Sequence, residues 1–385
     1  MSLSSNEEID IIARVLSNNN SGNADQLEEV LEMSLDKYVD EDRFKQEQQI
    51  LFKEFPIVLG HVSQVAESGD FFTHDATGVP ILVTRNRDGE VQAFLNVCRH
   101  RGAKIENKPC GKSGTFSCPY HGWTYDFNGN LRGIPQGNKF GDVDKNDLGL
   151  VPIQVFVRFG LIWVIPSPKK SAVDIDAWLA PMAEQFESLN LQDHVIYQAW
   201  TVNSDMNWHI LIEGFQEQYH FCHAHRESAC SYYLDTQGIY INKYPHVRHA
   251  VPMSQIVELE QLPQEEWSYR KNFMTQNYIF PANFMQVMSD HVYIHTILPN
   301  GIDKSIFTCM MLIPEAPATE KAEKYWKANY DVLRVVFNED FTIGESIQKG
   351  LASQANDFFT IGRCENTIQF AQQSVKDALE GRLKA

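Results

Sequence analysis

The stretches Cys98-Arg99-His100 and Cys118-Pro119-Tyr120-His121 decide how this chain is interpreted. Together they supply two thiolates and two imidazoles in the alternating order Cys, His, Cys, His. A structural zinc site can use the same four side chains, but its usual spacing places Cys beside Cys and His beside His. Here each short stretch contains one Cys and one His, so a different metal centre is favoured over zinc.

The alternating order is the ligand set of a Rieske [2Fe–2S] centre, in which two Cys hold one iron and two His hold the other. We therefore predict that Cys98, His100, Cys118 and His121 bind such a cluster. Neutral imidazoles lower the negative charge of the cluster, so its reduction potential lies at roughly −150 to +300 mV, above that of an all-cysteine ferredoxin. The chain is therefore expected to transfer electrons.

Composition limits the classes of partner. The net charge of −17 argues against a nucleic-acid partner, whose phosphates would repel the chain, and is compatible with a basic patch on an electron-donor protein. No apolar run is long enough to cross a membrane, and the N-terminus resembles no signal peptide. The seven Cys, among them Cys222 and Cys230, are expected to be the reduced residues of a cytoplasmic protein.

Hydrophobic patterning divides the chain into three segments. Residues 1–50 are predicted to be helical, with a linker at 18–23 between a helix carrying Ile9, Ile12 and Val15 and one carrying Leu27, Val30 and Leu31. Residues 51–168 are predicted to form the all-β cluster domain, with hairpins at Asn86-Arg87-Asp88-Gly89 and at 126–131. The linker 166–170 then leads into residues 169–385, predicted to be an antiparallel sheet with helices.

The predicted fold class is therefore α+β. The chain contains no Gly-rich phosphate loop and no nicotinamide fingerprint. Reducing equivalents are therefore expected to arrive through another protein.

A second group of metal-binding side chains lies between Glu213 and His225. On one continuous helix, Glu213, Glu217 and His220 would share a face. His220 and His225 would lie about 140° apart at ~100° per residue, so both reach one ion only if the helix ends or bulges between them. Two His and one carboxylate form the facial triad that binds non-haem Fe(II). His223 is the alternative second histidine, and we prefer His225.

The preferred carboxylate is Asp340, because a carboxylate on an apolar helical stripe is costly unless it is paired or binds a metal. Asp357 is the second candidate, and a hydrated aspartate beside Glu339 is the alternative interpretation of Asp340. Glu217-x-x-His220 also resembles half of a di-iron carboxylate site, but no second copy is present. The stripe consists of Leu333, Val336, Phe337, Asp340, Ile343, Gly344, Ile347 and Leu351.

These motifs resemble those of the Rieske oxygenase family. Asn96-Val97-Cys98-Arg99-His100-Arg101-Gly102 and the segment 118–125 are similar to its two cluster-binding loops. A further set is similar to its iron-site segment and to the segment that carries its third iron ligand. That set comprises Asn207-Trp208, Glu213, Glu217-x-Tyr219-His220, His225, Glu339-Asp340, Glu345, Gln348, Gly350 and Leu351.

The resemblance is to the oxygenase (alpha) subunits of aromatic-ring-hydroxylating dioxygenases and of carnitine and choline monooxygenases. It implies a helix-grip-like catalytic domain in which His220, His225 and Asp340 hold a mononuclear Fe(II). It also implies that Glu217 bridges an iron-ligating His and a cluster-ligating His of the neighbouring subunit in a homotrimer. Electrons would come from NAD(P)H through a separate reductase or ferredoxin. Gly214 and His209 depart from the frequent Asn and Lys of the family.

The expected function is that of a terminal oxygenase that hydroxylates an aromatic or cyclic substrate with O2. A monooxygenase or demethylase acting on a quaternary amine is the alternative, since Glu217 and the Glu339-Asp340 segment resemble that branch. A Rieske electron carrier without oxygenase activity and a zinc-stabilised interaction protein are the rivals from other classes. Candidate substrate-lining residues are Tyr232, Tyr233, Tyr240, Phe280, Phe284 and Met285.

Overall fold

The computed structural model describes residues 5–75, 78–168 and 172–385. Two compact units are formed. Gln49–Ile196 forms one, and the residues up to Gln48 join Tyr197–Lys384 in the other. Among the described residues, no helix is both long enough and apolar enough to cross a membrane.

The N-terminal segment contains helices and one strand. Its elements are α1 (Asn6–Ser21), β1 (Leu31–Ser34), α2 (Asp36–Val39) and α3 (Glu41–Glu54). α1 starts at a capping box between Ser5 and Glu8 and continues through most of the predicted linker at 18–23. The predicted helix around Leu27, Val30 and Leu31 is wrong, because β1 pairs with a distant strand at Phe358–Ile361. Three apolar residues at helical spacing could not reveal that pairing.

The first compact unit is built mainly of short antiparallel strands. They form sheets in the orders β10-β5-β4-β3-β6, β11-β12-β2 and β7-β8-β9. Both predicted hairpins are confirmed, since β4 pairs with β5 and β8 pairs with β9. The strands are β2 (Ile57–His61), β3 (Asp70–His74), β4 (Ile81–Arg85), β5 (Val91–Leu95), β6 (Cys110–Lys112), β7 (Thr115–Ser117), β8 (Thr124–Asp126), β9 (Leu131–Gly133), β10 (Pro152–Ile153), β11 (Val155–Arg158) and β12 (Leu161–Val164).

This unit extends beyond the predicted boundary at residue 168. Helices α4 (Ile175–Leu179) and α5 (Ala183–Ser188) belong to it. The ring of Trp178 contacts Phe55 at a centroid distance of 5.4 Å, and that of Phe186 contacts Phe159 at 5.6 Å. These aromatic contacts connect α4 and α5 to the rest of this strand-rich unit, Gln49–Ile196, which is called the β unit below. Lys169 and Lys170 of the predicted linker lie outside the described residues.

The second unit is centred on a seven-stranded antiparallel sheet with the order β13-β19-β18-β17-β16-β15-β14. The α+β prediction is confirmed. The elements of this unit are β13 (Val195–Ser204), α6 (Trp208–Gly214), α7 (Phe221–Ala224), β14 (Ile239–Lys243), β15 (His246–Pro252), α8 (Tyr269–Asn272), β16 (Phe273–Ile279), β17 (Asn283–Val287), β18 (Val292–Pro299), β19 (Ser305–Ile313), α9 (Glu320–Leu351), β20 (Phe358–Ile361) and α10 (Asn366–Leu379).

The N-terminal segment packs into this second unit through apolar and polar contacts. Ile12 and Val15 of α1 lie in one buried cluster with Ile239, Ala250 and Phe273 of the sheet. Polar contacts join the same segment to α6. Lys37 forms a buried ion pair with Glu213, and Tyr38 also donates a hydrogen bond to Glu213. Glu47 accepts a hydrogen bond from His209 Nε2 at 3.0 Å. The motif residue Glu213 is thus the counter-ion of Lys37.

Candidate cluster and iron sites

Two loops of the β unit carry the predicted cluster ligands in matching conformations. The N–H of Cys98 donates to the carbonyl of Ala103, and the N–H of Cys118 donates to that of Trp123, each at 2.8 Å. Gly102 and Gly122 close the loops by donating back to the two Cys carbonyls at 2.9 Å. Both glycines have positive φ, +80° and +70°, a conformation that other residues adopt with strain.

The matching loops place like side chains together. Cys98 and Cys118 are both 3% exposed, whereas the rings of His100 and His121 lie towards the surface, with their Nδ1 atoms 3.1 Å apart. Burial raises the pKa of the Cys118 thiol, and the hydrogen bond with Cys98 adds to this effect. One pair of sulfurs and one pair of imidazole nitrogens fit a cluster whose two irons have different ligands. The four residues present therefore fit the predicted group.

The segment with the predicted iron-ligating histidines is not one continuous helix. α6 ends at Gly214, and the next helix, α7, is only one turn long. His220 precedes α7 and His225 follows it. The separation of about 140° expected on one continuous helix therefore does not apply. Both imidazoles flank one short turn and can face the same point.

Three side chains converge there. His220 Nε2 lies 3.1 Å from His225 Nε2, and Asp340 Oδ1 lies 3.5 Å and 3.0 Å from those two atoms. Three donors on one face of an octahedron, each about 2.1 Å from the metal, would be about 3 Å apart. The donor set and the spacing fit a facial triad. His223 is exposed, Asp357 is exposed, and neither belongs to this group.

An acidic residue orients each imidazole. Glu217 accepts a hydrogen bond from His220 Nδ1, and Glu339 accepts one from His225 Nδ1 at 2.8 Å. Burial lowers the pKa of both histidines, but Glu217 for His220, Glu339 for His225 and Asp340 for both outweigh it, so each pKa lies above its ordinary value. The bonded Nδ1 atoms leave both Nε2 atoms directed to the common point, as ligating histidines require. Sequence reasoning treated Glu339 only as the neighbour of Asp340.

Asp340 reaches the histidines because α9 packs closely on the residues around α6, from Met206 to Phe215. A Cβ at Gly344 would lie 2.5 Å from Met206 Sδ, so only glycine permits this approach one turn after Asp340. Phe337, one turn before Asp340, stacks on Phe215 at 4.9 Å. The predicted stripe is only partly buried: Phe341 belongs to the buried face, whereas Ile343 and Ile347 are 44% and 40% exposed.

A cavity of about 410 Å³ adjoins the three side chains. Its walls are mainly aromatic and aliphatic, and the polar residues Gln276, Gln286 and Asp290 also line it. Of the predicted substrate-lining residues, Tyr232 and Tyr233 line the cavity, whereas Tyr240, Phe280, Phe284 and Met285 do not. Its apolar walls and few polar groups are typical of a site for a small organic molecule.

A disulfide joins Cys222 and Cys230 beside the site. The expectation that these two residues are free thiols is therefore wrong. Their Cα atoms are 4.8 Å apart because the chain turns back after α7, and a separation of eight residues in the sequence does not reveal that turn. The five other Cys are free: Cys98, Cys110, Cys118, Cys309 and Cys364.

Two family models match the chain in adjacent regions. Residues 55–154 match the Rieske [2Fe-2S] domain, and residues 191–381 match the ring hydroxylating alpha subunit (catalytic domain). The glycine betaine monooxygenase oxygenase subunit of Pseudomonas aeruginosa is 33% identical over 49% of this chain and 44% of that protein. The biphenyl 2,3-dioxygenase subunit alpha of Rhodococcus jostii is 32% identical over 48% and 41%. The matched region thus spans less than half the length of these relatives.

The fold is also similar to a solved structure. A quaternary ammonium Rieske monooxygenase in complex with L-carnitine superposes with a TM-score of 0.77 at 20% identity, over 91% of this chain and 96% of that one. The cluster loops lie within the first family match, and the three converging side chains lie within the second. The chain therefore belongs to the Rieske oxygenases, with a Rieske [2Fe–2S] domain followed by the catalytic domain of a ring-hydroxylating alpha subunit.

Proposed function

We propose that this chain is the terminal oxygenase component of a multicomponent Rieske system. It takes electrons from a separate reductase or ferredoxin, ultimately from NAD(P)H, and uses O2 to hydroxylate an aromatic or cyclic substrate. Insertion of one oxygen atom into a C–H bond consumes O2, two electrons and two protons, and releases water. Dioxygenation of a ring takes up both oxygen atoms with the same electrons and protons.

One observation carries this proposal. His220, His225 and Asp340 converge beside a largely apolar cavity, in a chain that also contains a Rieske domain. An electron carrier needs neither the three converging side chains nor the cavity. A facial triad leaves positions open for O2 and substrate, and the iron, when bound, supplies the O2 chemistry.

The residues of this chain have three tasks in the proposal. Cys98, His100, Cys118 and His121 hold the [2Fe–2S] cluster, while His220, His225 and Asp340 hold the Fe(II). Glu217 and Glu339 fix the orientation of the two imidazoles through their Nδ1 atoms. The apolar cavity wall limits water and holds the substrate beside the triad.

Glu217 has a second proposed task, as the bridge for electrons between subunits. Its Oε1 interacts with His220 Nδ1, and its Oε2 accepts from the backbone N–H of His220 at 3.1 Å. A carboxylate oxygen has two acceptor positions, so Oε2 can also accept a hydrogen bond from a cluster-ligating His of a neighbouring subunit. A head-to-tail homotrimer would supply that neighbour. A cytoplasmic location, where NAD(P)H-dependent donors work, is part of this proposal.

A monooxygenase acting on a quaternary amine is the second candidate function. It is favoured by the similarity to the glycine betaine monooxygenase subunit and to the structure solved with L-carnitine. The similarity to the biphenyl dioxygenase subunit favours the aromatic candidate at almost the same identity. Identity alone therefore does not discriminate between these substrates.

Metal analysis of the purified chain tests the proposal against its rivals. An oxygenase is expected to bind three irons per chain and to show the electron paramagnetic resonance (EPR) signal of a reduced Rieske cluster. A carrier would bind two irons, and a zinc-stabilised protein would be colourless. Substrate-dependent consumption of O2 and NADH with a reductase is the second expected result. Two irons per chain in fully loaded protein would contradict the oxygenase function.

A further inference from the structure

The wall of the cavity contains a row of polar side chains that crosses the central sheet. His249 on β15 lies opposite Gln276 on β16, Gln276 lies opposite Gln286 on β17, and Gln286 lies opposite Tyr293 on β18. Directly opposite residues of antiparallel strands project from the same face of the sheet. All four line the cavity. The row therefore presents hydrogen-bonding groups to any molecule bound there.

Gln276 and His249 are the members of this row with a buried polar atom that has no hydrogen-bond partner among the described residues. Gln276 is 7% exposed, and its amide oxygen Oε1 has no hydrogen-bond partner among the described residues. Gln286, by contrast, accepts from His295 Nε2 at 3.1 Å and donates to Met274 Sδ at 3.1 Å. A buried amide without partners destabilises the fold unless a ligand or solvent supplies them. The Gln276 amide is thus positioned to bind a polar group inside an otherwise apolar cavity.

The charges around the cavity restrict what that group can be. Within the described part of the chain, no lysine or arginine lines the cavity. Burial lowers the pKa of His249 to about 3, so this imidazole is neutral at neutral pH. Asp290 already interacts with His291 Nδ1 at 2.7 Å and with the hydroxyl of Tyr325 at 2.5 Å. Along this row, a carboxylate on the substrate would therefore have no cationic partner.

We propose that the cavity binds an uncharged ring compound with one hydroxyl or carbonyl substituent, and that Gln276 determines this specificity by hydrogen bonding to the substituent. The amide can donate from Nε2 to a carbonyl or accept at Oε1 from a hydroxyl. The ring then lies among Val251, Met274, Met288 and Phe337, which also line the cavity. This inference rests on the proposed oxygenase function and narrows its substrate class.

The same contacts disfavour a betaine or carnitine. A quaternary ammonium group has no N–H and no lone pair, so this end of the molecule cannot form a hydrogen bond with the Gln276 amide. Its carboxylate would enter a cavity wall without a lysine or an arginine. Burying a charge without a partner opposes binding.

Equilibrium binding to the anaerobic holoenzyme tests the inference. Calorimetric titrations compare indane, 1-indanol and 1-indanone, three ring compounds that differ only in the substituent. L-carnitine, which is charged and has no ring, is titrated alongside them. We expect the alcohol or the ketone to bind at least about tenfold more tightly than indane. Q276M should remove that preference while retaining indane binding. Q255M, at an exposed glutamine outside the cavity, is the matched control and should behave like the unaltered chain.

Several results would overturn the inference. These are equal binding of all three ring compounds, no binding of any of them, an unchanged preference in Q276M, or tighter binding of L-carnitine than of the alcohol and the ketone. Oxygen uptake with a reductase is measured separately. The expected binding pattern without oxygen uptake would support the inference about the cavity and contradict only the oxygenase function. Iron content is determined for each variant, so loss of metal is not mistaken for loss of specificity.

Discussion

The cluster site and the iron site of this chain use similar side chains but are built differently. The four proposed cluster ligands come from two loops between Cys98 and His121, and each loop is closed by its own backbone hydrogen bonds. Of the proposed iron ligands, His220 and His225 flank the one-turn helix α7, and Asp340 lies more than a hundred residues later on α9. The cluster site depends on local loop geometry, whereas the iron site depends on helix packing.

This difference predicts how each site responds to amino-acid substitutions. A loop ligand should be removable without disturbing the other unit, because its neighbours are held by their own hydrogen bonds. The iron site should be sensitive both to its ligands and to residues that hold α6 and α9 in place. Substitutions in the two regions should therefore give separable losses of iron.

The largest effect is expected from C118S, which should remove the cluster. Serine is a poor ligand for cluster iron, so two of the three irons per chain and the reduced Rieske EPR signal should be lost, together with all turnover. Iron analysis and EPR spectroscopy measure this. C110S alters an exposed thiol on β6 in the same unit and is the matched control. A C118S protein that retains its colour and EPR signal would show that the ligand assignment is wrong.

D340A should produce the complementary loss. Removing the only carboxylate of the triad should release about one iron per chain and abolish turnover, while the Rieske EPR signal stays unchanged. D357A, at the other candidate carboxylate, should retain all the iron. The choice of histidine is tested in parallel, because H225A should lose this iron and H223A should keep it. The opposite result for the two histidines would refute the proposed triad.

E217Q tests whether the two sites communicate between subunits. Glu217 is not one of the proposed ligands, so both metals should remain. The amide presents one acceptor end and one donor end, so it cannot accept hydrogen bonds from two imidazoles as a carboxylate does. After rapid mixing of pre-reduced enzyme with substrate and O2, the cluster should stay reduced. E227Q, at an exposed glutamate, is the control. Normal cluster reoxidation in E217Q, or a fully active monomer, would exclude the bridge.

The contrast also explains which features could be predicted from the sequence. The cluster loops, both hairpins and the α+β class are encoded in short motifs and local periodicity. That His220 and His225 reach the same ion could be predicted only on the condition that the helix ends or bulges between them. The sequence does not mark such an end. Asp340 could be identified as an acid on an apolar stripe, but its approach to the histidines depends on the contact between Gly344 and Met206.

Features created by tertiary contacts were not predictable. The pairing of β1 with β20 replaces a predicted helix, and the Cys222–Cys230 disulfide replaces two expected thiols. The unpartnered Gln276 amide oxygen and the buried pair of Lys37 and Glu213 have no local signature at all. In each case the feature depends on how the chain folds back on itself, which periodicity and spacing along the sequence do not reveal.

The smallest effect on iron binding is expected from K37A, which tests whether the N-terminal segment supports the iron site. Lys37 is buried, and its ammonium group interacts with Glu213 on α6, just before the segment that carries His220 and His225. Removing one partner leaves a buried charge, which typically costs about 3–5 kcal/mol of unfolding free energy. Tyr38 and Gln372 still donate to Glu213, so we expect the lower end of that range.

Urea unfolding and iron analysis measure the effect of K37A. The midpoint should fall, and mononuclear iron should be lost more readily than the cluster, because the cluster loops are held by their own hydrogen bonds. K45A removes an exposed ion pair with Asp42 in the same segment and should leave the midpoint unchanged. The double variant K37M/E213L removes both charges and should recover much of the lost stability. Equal loss of cluster and mononuclear iron in K37A would show that the two sites do not differ in their dependence on packing.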